Sequence, residues 1–461
     1  MTLIVTSQFE INKVAAPRLP TAPLQYEPRF HDQYSDVLRL YFNRLDSILG
    51  QLVASMETIP VSLGGTNVDA FGRLRVSNPL TLFDSSHRYA DNNLWATSIT
   101  GTAAATFSAA EGLVNLTVGS ASGDQIIRET IKVFSYQPGK SLLVMNTFVF
   151  GDPKANLRQR AGYYGAANGI YFERDGTTNY MVERSSVTGS VVNTRVAQAN
   201  WNQDPMDGTG PSGLTLDSSK AQILYMDVEW LGLGTVRTGF IINGVFVPCH
   251  NFDHANLVNT TYITTASLPL RYEMTNTAAT TGASTLKQVC STVISEGGYE
   301  LRGAQLSAGN TITSPTTLTT AGTFYPIVSI RLKTTRLDAI VILTALSILG
   351  ITNNANYKWE VVASGTTTGG TWVSAGTNSA VEYNITGTSF SSTGGRILAT
   401  GFFQGSNQGS NSVDILKEAL FTTQLERDPF TPTAYEITLA CTAAANGNQV
   451  LGSVDWEEIS R

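Results

Sequence analysis

Cysteine and charge are both scarce in this chain. Its 461 residues include three cysteines, Cys249, Cys290 and Cys441, and charged residues make up 14% of it. An odd number of widely spaced cysteines gives no disulfide framework, so we expect buried free thiols. The formal net charge of −6 and the lack of any Lys/Arg block argue against nucleic acid as a partner.

The sequence also lacks segments that would take the chain to or across a membrane. The most apolar run, residues 337–350, is interrupted by Asp338 and Thr344 and is too short to span a bilayer. Residues 1–13 (MTLIVTSQFEINK) lack the basic start and long apolar core of a secretory signal. We therefore expect synthesis in the cytoplasm without export by the usual route, and no membrane insertion.

What the composition does contain is typical of a folded, turn-rich β protein. Apolar residues make up 42% of the chain, which is enough for real cores. The 41 glycines, together with many Thr, Ser and Asn residues, favour frequent turns and uncharged polar surfaces. The length suffices for two or three domains.

Residues 32–56 carry a heptad pattern. Apolar side chains recur there at alternating spacings of four and three: Tyr34, Leu38, Tyr41, Leu45, Ile48 and Leu52. This seam predicts an amphipathic helix that ends near Glu57, just before Ile59-Pro60. Two interpretations remain open: the helix packs on its own domain, or it joins identical chains in a short bundle. The second is favoured because nearly everything after the helix has a β pattern.

From about residue 82 to residue 300, apolar strands alternate with turn signals and no helical period intervenes. The nearly all-apolar segment 141–150 (SLLVMNTFVF) predicts a central strand buried on both faces. Asp175-Gly176 and Asn243-Gly244 lie between apolar runs and predict tight hairpins. These features indicate antiparallel sheets in a sandwich or jelly roll.

The last third of the chain continues the β pattern after a Thr/Ser/Gly-rich stretch at 301–323, which predicts an interdomain connection. Alternating apolar segments predict further strands: 325–332, 338–344, 358–362, 371–373, 435–441 and 450–456. A short helix is expected over 412–420. We therefore predict a second β-sandwich.

The predicted fold class is mainly β, with an N-terminal extended arm and a short helix before a jelly-roll-like β-sandwich and a second C-terminal β-sandwich. Four prolines within residues 17–28 favour an extended arm. The expected boundaries are as follows: docking arm 1–30, oligomerising helix 31–57, linker and entry strand 58–84, first sandwich 85–300, connection 301–323 and second sandwich 324–461.

Asp227 and Glu229, followed by Trp230, are the strongest candidates for chemistry. Two carboxylates one residue apart on a strand point to one face, and paired carboxylates near aromatic rings serve some jelly-roll glycoside hydrolases. Those enzymes usually place a third acid shortly afterwards, where this chain has Leu231-Gly232-Leu233-Gly234. Two acids on a solvated strand face are common. We therefore expect no catalysis and keep these three residues as candidate glycan contacts.

A second candidate, for a metal, is formed by Cys249, His250, Asp253 and His254. His-x3-His offers two imidazoles at ligand spacing when the segment is helical, but this segment follows a predicted strand. No third distant ligand stands out, so we expect these histidines to hydrogen-bond to the backbone. The sequence predicts no metal and no cofactor.

Several distinctive strings resemble a family of virion structural proteins of tailed bacteriophages, especially phages of aquatic bacteria and cyanobacteria. The likeness covers roughly residues 30–300 and does not extend to the C-terminal third. It is carried by these segments: 38–46 (LRLYFNRLD), 69–79 (DAFGRLRVSNP), 81–85 (TLFDS), 168–173 (NGIYFE), 206–213 (MDGTGPSG), 228–232 (VEWLG) and 290–297 (CSTVISEG).

The resemblance implies a place in a virus particle, with the protein exposed on the virion after synthesis in the host cytoplasm. With the arm, the helix and the sandwiches, it predicts a non-enzymatic homotrimeric fiber, spike or capsid-attached decoration protein. The outer domains would face the environment, where a host surface glycan is a candidate partner. The residues expected to dock on capsid, neck or tail proteins lie in the arm: Leu19, Pro20, Leu24 and Tyr26. The alternative is a jelly-roll glycan-binding or glycan-hydrolysing protein acting through Asp227 and Glu229.

Overall fold

A computed structural model describes residues 17–19, 25, 27–57, 78–405, 411–413 and 423–460. The chain divides into two compact units between Val76 and Ser77, and each is described by itself. The first unit contains helix α1 (Pro28–Glu57), and the second contains the β strands. Within the described residues, no helix combines the length and apolar character that a membrane crossing requires.

Two β-sandwiches make up the second unit, which confirms the predicted fold class. The strands of the first sandwich are β1 (Leu80–Ser85), β2 (Trp95–Thr100), β3 (Ala104–Ser108), β4 (Leu113–Val118), β5 (Gln125–Thr130), β6 (Phe134–Ser135), β7 (Leu142–Val149), β8 (Leu157–Tyr164), β9 (Gly169–Asp175), β10 (Thr178–Ser185), β11 (Val192–Ala197), β12 (Gln222–Val228), β13 (Val236–Ile242), β14 (Val245–Phe252), β15 (Ser267–Leu268), β16 (Leu270–Asn276) and β17 (Ser284–Ser295).

The first sandwich is built from two large antiparallel sheets. One has the order β14-β13-β12-β7-β17-β4-β3, with β1 also paired to β17, and the other has the order β11-β10-β9-β8-β16-β5-β2. Their facing sides enclose the core, where the rings of Phe148 and Phe150 stack with centroids 4.4 Å apart and Phe172 lies 5.5 Å from Phe150. Each such buried side chain contributes about 1.5–3 kcal/mol to folding.

Both predicted hairpins form, and one strand prediction needs correction. Asn243 and Gly244 have φ values of 53° and 79°, as the two central residues of a type I′ turn require. Strand β7 is central, between β12 and β17, but it is not buried on both faces: burial alternates along it, and Leu143 and Met145 are half-exposed. An apolar run therefore identified the strand correctly but overstated its burial.

The second sandwich begins earlier than the sequence indicated. Its strands are β18 (Ala304–Gly309), β19 (Thr316–Leu318), β20 (Tyr325–Leu332), β21 (Ile340–Gly350), β22 (Asn356–Thr368), β23 (Val373–Ser374), β24 (Val381–Asn384), β25 (Ser389–Ser391), β26 (Arg396–Gln404), β27 (Asn411–Val413), β28 (Glu436–Ala443) and β29 (Asn448–Ser460). Segment 301–323, expected as a connection, thus supplies β18 and β19, both paired with β29.

Two antiparallel sheets also form the second sandwich. One has the order β18-β29-β21-β27 with β19 on β29, and the other has the order β23-β24-β20-β28-β22-β25 with β26 on β22. Its core is separate from the first and includes Trp456, Val361 and Leu439. Residues 412 and 413 belong to β27 rather than to the expected helix, whose remainder lies outside the described residues, as does the expected entry strand before residue 78.

The two sandwiches pack directly against each other. Val133 of the first lies in one buried cluster with Ile340 and Ile342 of the second. Gln424 donates a hydrogen bond from Nε2 to the carbonyl oxygen of Val133 at 2.9 Å. These contacts give the two sandwiches a defined mutual position.

Buried charges cross the same interface. The Arg427 guanidinium binds the Glu129 carboxylate at 2.8 Å, and Arg271 binds its other oxygen at 3.1 Å. Lys132 lies 3.6 Å from Glu426. Burial raises the pKa of Glu129 above its usual value, while Arg427 and Arg271 pull it down.

Candidate functional site

The turn after β12 carries two of the three candidate glycan contacts. Strand β12 ends at Val228, so Glu229 and Trp230 lie in the turn rather than on the strand. The Trp230 carbonyl oxygen accepts the N–H groups of Leu233 at 2.9 Å and Gly234 at 2.7 Å. A Cβ at Gly234 would lie 2.4 Å from the Glu229 carbonyl oxygen, so this turn requires a glycine there.

A second turn, between β6 and β7, faces the first. The Lys140 N–H donates to the Gln137 carbonyl oxygen at 3.1 Å, and Gly139 has φ of 83°, a conformation that glycine adopts without strain. The Lys140 side chain lies across Gly297, where a Cβ would come within 2.5 Å of its Cγ. Because β7 pairs with β12, the two turns lie at the same end of the sheet.

Two adjoining pockets between these turns form what we call the Trp230 cleft. The aromatic pocket has a volume of about 610 Å³, and the carboxylate pocket has a volume of about 380 Å³. Both are lined by Tyr136 and Lys140. The aromatic pocket also includes Gln137, Trp230, Thr264, Glu300, Arg302 and Ile459. The carboxylate pocket also includes Ser141, Asp227, Glu229, Leu231, Thr235 and Arg237. The structure thus gathers Asp227, Glu229 and Trp230 in one cleft.

The two carboxylates of the cleft have different surroundings. Asp227 lies opposite Arg237 on β13, and their side chains form an ion pair. Burial raises the pKa of Asp227, and Arg237 partly offsets this by lowering it. Glu229 is exposed, and its Oε2 accepts a hydrogen bond from the Thr235 N–H at 3.4 Å. The Asp227 carboxylate is therefore engaged by the Arg237 guanidinium, whereas the Glu229 carboxylate faces solvent.

Trp230 provides the cleft with an aromatic wall and a buried donor. Its ring meets that of Tyr136 edge to face, with centroids 6.3 Å apart. The indole N–H is buried and has no acceptor in the part of the chain that the structure describes. A buried donor without a partner costs free energy, so this group favours any ligand that brings an acceptor to it.

His254 and Tyr262 support the Trp230 turn from behind. The Tyr262 hydroxyl donates to the Glu229 carbonyl oxygen at 3.2 Å, and the rings of His254 and Tyr262 stack 3.9 Å apart. His254 contacts the Gly234 carbonyl oxygen at 2.6 Å and the Glu183 carboxylate at 2.7 Å. Both are acceptors, which favours an imidazole that donates from both ring nitrogens and carries a charge. Burial opposes that charge, but these two hydrogen bonds outweigh it and raise the pKa of His254.

The histidines of the metal candidate are engaged in hydrogen bonds. His250 Nδ1 accepts the N–H of Asn202 at 3.3 Å, and His254 is bound as described above. Within the described ranges, no group of three or more His, Cys, Asp or Glu side chains could hold a metal ion. Cys249 and Cys441 are buried free thiols and Cys290 is half-buried.

The seam of α1 is the other candidate site. None of its described side chains is buried. The seam side chains Tyr34, Leu38, Tyr41, Leu45 and Ile48 are half-exposed; that of Leu52 lies outside the described residues. Leu40, on the opposite side of the helix, is 61% exposed. From Tyr34 to Ile48, the seam therefore presents a half-exposed apolar stripe.

The proposed docking residues fall almost entirely outside the described part of the chain. Leu19 is described and is 45% exposed. Pro20, Leu24 and Tyr26 lie outside the described residues. Their role as docking residues stays a prediction.

Sequence patterns did not reveal Tyr136, Lys140 and Arg237 as parts of the cleft. Tyr136 and Lys140 flank Gln137-Pro138-Gly139, a sequence that predicts an ordinary turn. They lie about ninety residues before Trp230 in the chain, and they meet it because β7 and β12 are neighbours. That pairing is not visible in local periodicity.

No family model matches the chain, and no curated protein matches it. Several solved structures match about half of the chain at low identity. The conserved carbohydrate esterase from Shiga toxin-encoding bacteriophage phi24B covers 47% of this chain and 99% of its own, with 14% identity and a TM-score of 0.30. The CBM2 module of the evolved Dit of Lactobacillus casei BL23 phage J-1 covers 49% and 100%, with 5% identity and a TM-score of 0.32. A Bacteroides ovatus GH16 protein from a mixed linkage glucan locus covers 46% and 99%, with 10% identity and a TM-score of 0.32.

Proposed function

We propose that this chain is a non-enzymatic virion structural protein of a tailed bacteriophage: a homotrimeric fiber, spike or capsid-attached decoration protein. The residues before α1 dock on capsid, neck or tail proteins, and the β-sandwiches face outward. The observation that carries the proposal is the half-exposed apolar seam of α1. The resemblance of residues 30–300 to phage virion proteins supplies the setting.

Association of three chains would bury the seam. Leu38 and Leu45 are half-exposed, and full burial of a leucine contributes about 1.5–3 kcal/mol. Phe42 and Leu49, which are 57% and 53% exposed, widen the apolar stripe on one flank. A broad stripe favours more than two helices in a bundle.

The surroundings of the two carboxylates support a non-enzymatic role. A glycosidase needs one carboxyl group able to give up a proton and a second carboxylate able to act as base or nucleophile. The Asp227 carboxylate is already engaged in an ion pair with Arg237. This arrangement supports glycan contact rather than glycan hydrolysis.

The test is the mass of the full chain in solution, with two matched leucine variants. Light scattering should give about three times the chain mass of 49.5 kDa. Leu45→Glu places a charge in the seam and should give monomers, whereas Leu40→Glu, on the opposite face, should leave the trimer intact. A monomeric wild type, or equal dissociation of both variants, would contradict the proposal.

A second candidate function is glycan binding by the first sandwich, which is compatible with a role on the virion. The specific observation in its favour is the Trp230 cleft, where Asp227, Glu229 and Trp230 meet.

A further inference from the structure

We infer that the Trp230 cleft binds an uncharged hexose unit of a surface glycan and disfavours acidic sugars. The inference deepens the glycan-binding part of the proposed function and rests on it. It is independent of the trimer and of the position of the protein on the particle. It adds Tyr136 and Lys140 to the candidate contacts.

The dimensions and walls of the cleft suit a small polar ligand. The aromatic pocket of about 610 Å³ lies within the roughly 300–1,000 Å³ range of small-molecule sites. Trp230, which is half-exposed, offers ring surface on which the C–H groups of a sugar ring can lie, and the buried Tyr136 packs against it. Polar groups surround those rings, as specific recognition of a hydroxylated ligand requires.

Three polar groups of the cleft lack strong hydrogen-bond or ion-pair partners. Together they could bind the hydroxyl groups of a sugar. The buried Trp230 N–H has no acceptor among the described residues. The Lys140 ammonium, which lines both pockets, forms no ion pair with any described residue. The Glu229 carboxylate has one long contact, to the Thr235 N–H. A hydroxyl group both donates and accepts, so one hexose can serve two donors and one acceptor at once.

The charges of the cleft balance, and this favours an uncharged ligand. Arg237 pairs with Asp227 on one side, and Arg302 pairs with Glu300 on the other. Lys140 and Glu229 remain, with opposite charges in the same carboxylate pocket. The net charge of the lining is therefore zero, and a sugar carboxylate would meet the exposed Glu229 at short range.

Matched sugars test this selectivity directly. D-glucose, D-galactose and D-mannose are offered separately to the full-length protein at millimolar concentration, and binding is read by saturation-transfer NMR. D-glucuronate and D-galacturonate differ from glucose and galactose at C6, so they isolate the effect of the carboxylate. We expect saturation transfer to at least one neutral hexose and a several-fold weaker signal for its uronate.

Three variants then assign the contacts. Trp230→Phe keeps a ring and removes the N–H, and Lys140→Met keeps the stem and removes the ammonium. Each should weaken hexose binding by about two- to tenfold, the range of one hydrogen bond. Glu229→Gln keeps an acceptor oxygen and removes the charge, so it should raise the uronate signal towards that of the hexose.

The matched control is Trp372→Phe, because Trp372 is also half-exposed but lies against Arg331 on the second sandwich. It should leave binding unchanged, and thermal melting verifies that all variants are folded. Absence of transfer to all three hexoses, uronates that bind as well as the hexoses, or unchanged binding by Trp230→Phe would each overturn the inference. None of these results would alter the mass measurement that tests the trimer.

Discussion

Arg427 and Glu129 join the two sandwiches through a buried ion pair, and replacing Arg427 with Met should lower the free energy of unfolding by about 1.5–3 kcal/mol. The Glu129 side chain is 2% exposed and that of Arg427 is 12% exposed. Methionine retains an unbranched apolar stem of similar length, so the change removes the charge with little loss of packing. The backbone N–H of Arg427, which donates to the Ile131 carbonyl oxygen, is unaffected.

The expected loss of stability depends on the contact that Glu129 retains after Arg427 is replaced. Removing one partner from an isolated buried ion pair costs about 3–5 kcal/mol, because an uncompensated charge stays buried. Glu129 retains Arg271 at 3.1 Å, so the loss should approach that of one charge-assisted hydrogen bond, about 1.5–3 kcal/mol.

Urea unfolding of the full-length protein, followed by tryptophan fluorescence, measures this loss. The matched control is Arg302→Met, whose ion pair with Glu300 is 79% and 55% exposed and should be worth less than about 1 kcal/mol. In a Glu129→Gln background, the cost of Arg427→Met should shrink because the shared interaction is already gone. Equal losses for Arg427→Met and Arg302→Met would show that the network does not stabilise the interface.

Two further predictions concern the cleft support and the arm. His254→Gln should destabilise the protein most below pH 6.5, the ordinary pKa of histidine. The difference in stability from wild type should shrink as pH rises, because a raised folded-state pKa contributes stability that is lost on deprotonation. Unfolding curves at several pH values measure it, and a difference that grows with pH would contradict the charged imidazole. Deleting residues 1–27, which precede α1, should leave a trimer of unchanged melting temperature that no longer assembles into particles; retained incorporation would disprove the docking role.

Local sequence signals predicted individual elements well where chain chemistry alone decides them. The bounds of β20 match the predicted 325–332, and α1 ends at Glu57 as expected. The prediction failed where burial depends on a neighbouring layer: 141–150 is as apolar as a strand covered on both sides, yet Leu143 and Met145 are half-exposed. It also failed for 301–323, because the short edge strands β18 and β19 lie in a Thr/Ser/Gly-rich segment whose overall composition is that of a loop.

The cleft shows the same limit for function. Asp227, Glu229 and Trp230 stand out because carboxylates and an indole occur within four residues. Tyr136 and Lys140 do not stand out in the sequence, because only the pairing of β7 with β12 brings them to the cleft. The ion pair between Asp227 and Arg237 is likewise a cross-strand contact, which local sequence patterns do not reveal.

The interface and the cleft are physically connected, and this gives the buried charges a role beyond stability. Ile459 of β29 lines the aromatic pocket and also packs against the cluster of Val133, Ile340 and Ile342 between the sandwiches. A purely apolar interface of the same volume would be at least as stable, because burying ion pairs carries a desolvation cost. An apolar interface provides no directional contact, whereas Arg427 binds Glu129 at 2.8 Å in one geometry. We therefore interpret the charged network as fixing the position of the second sandwich, and with it the wall of the cleft that Ile459 supplies.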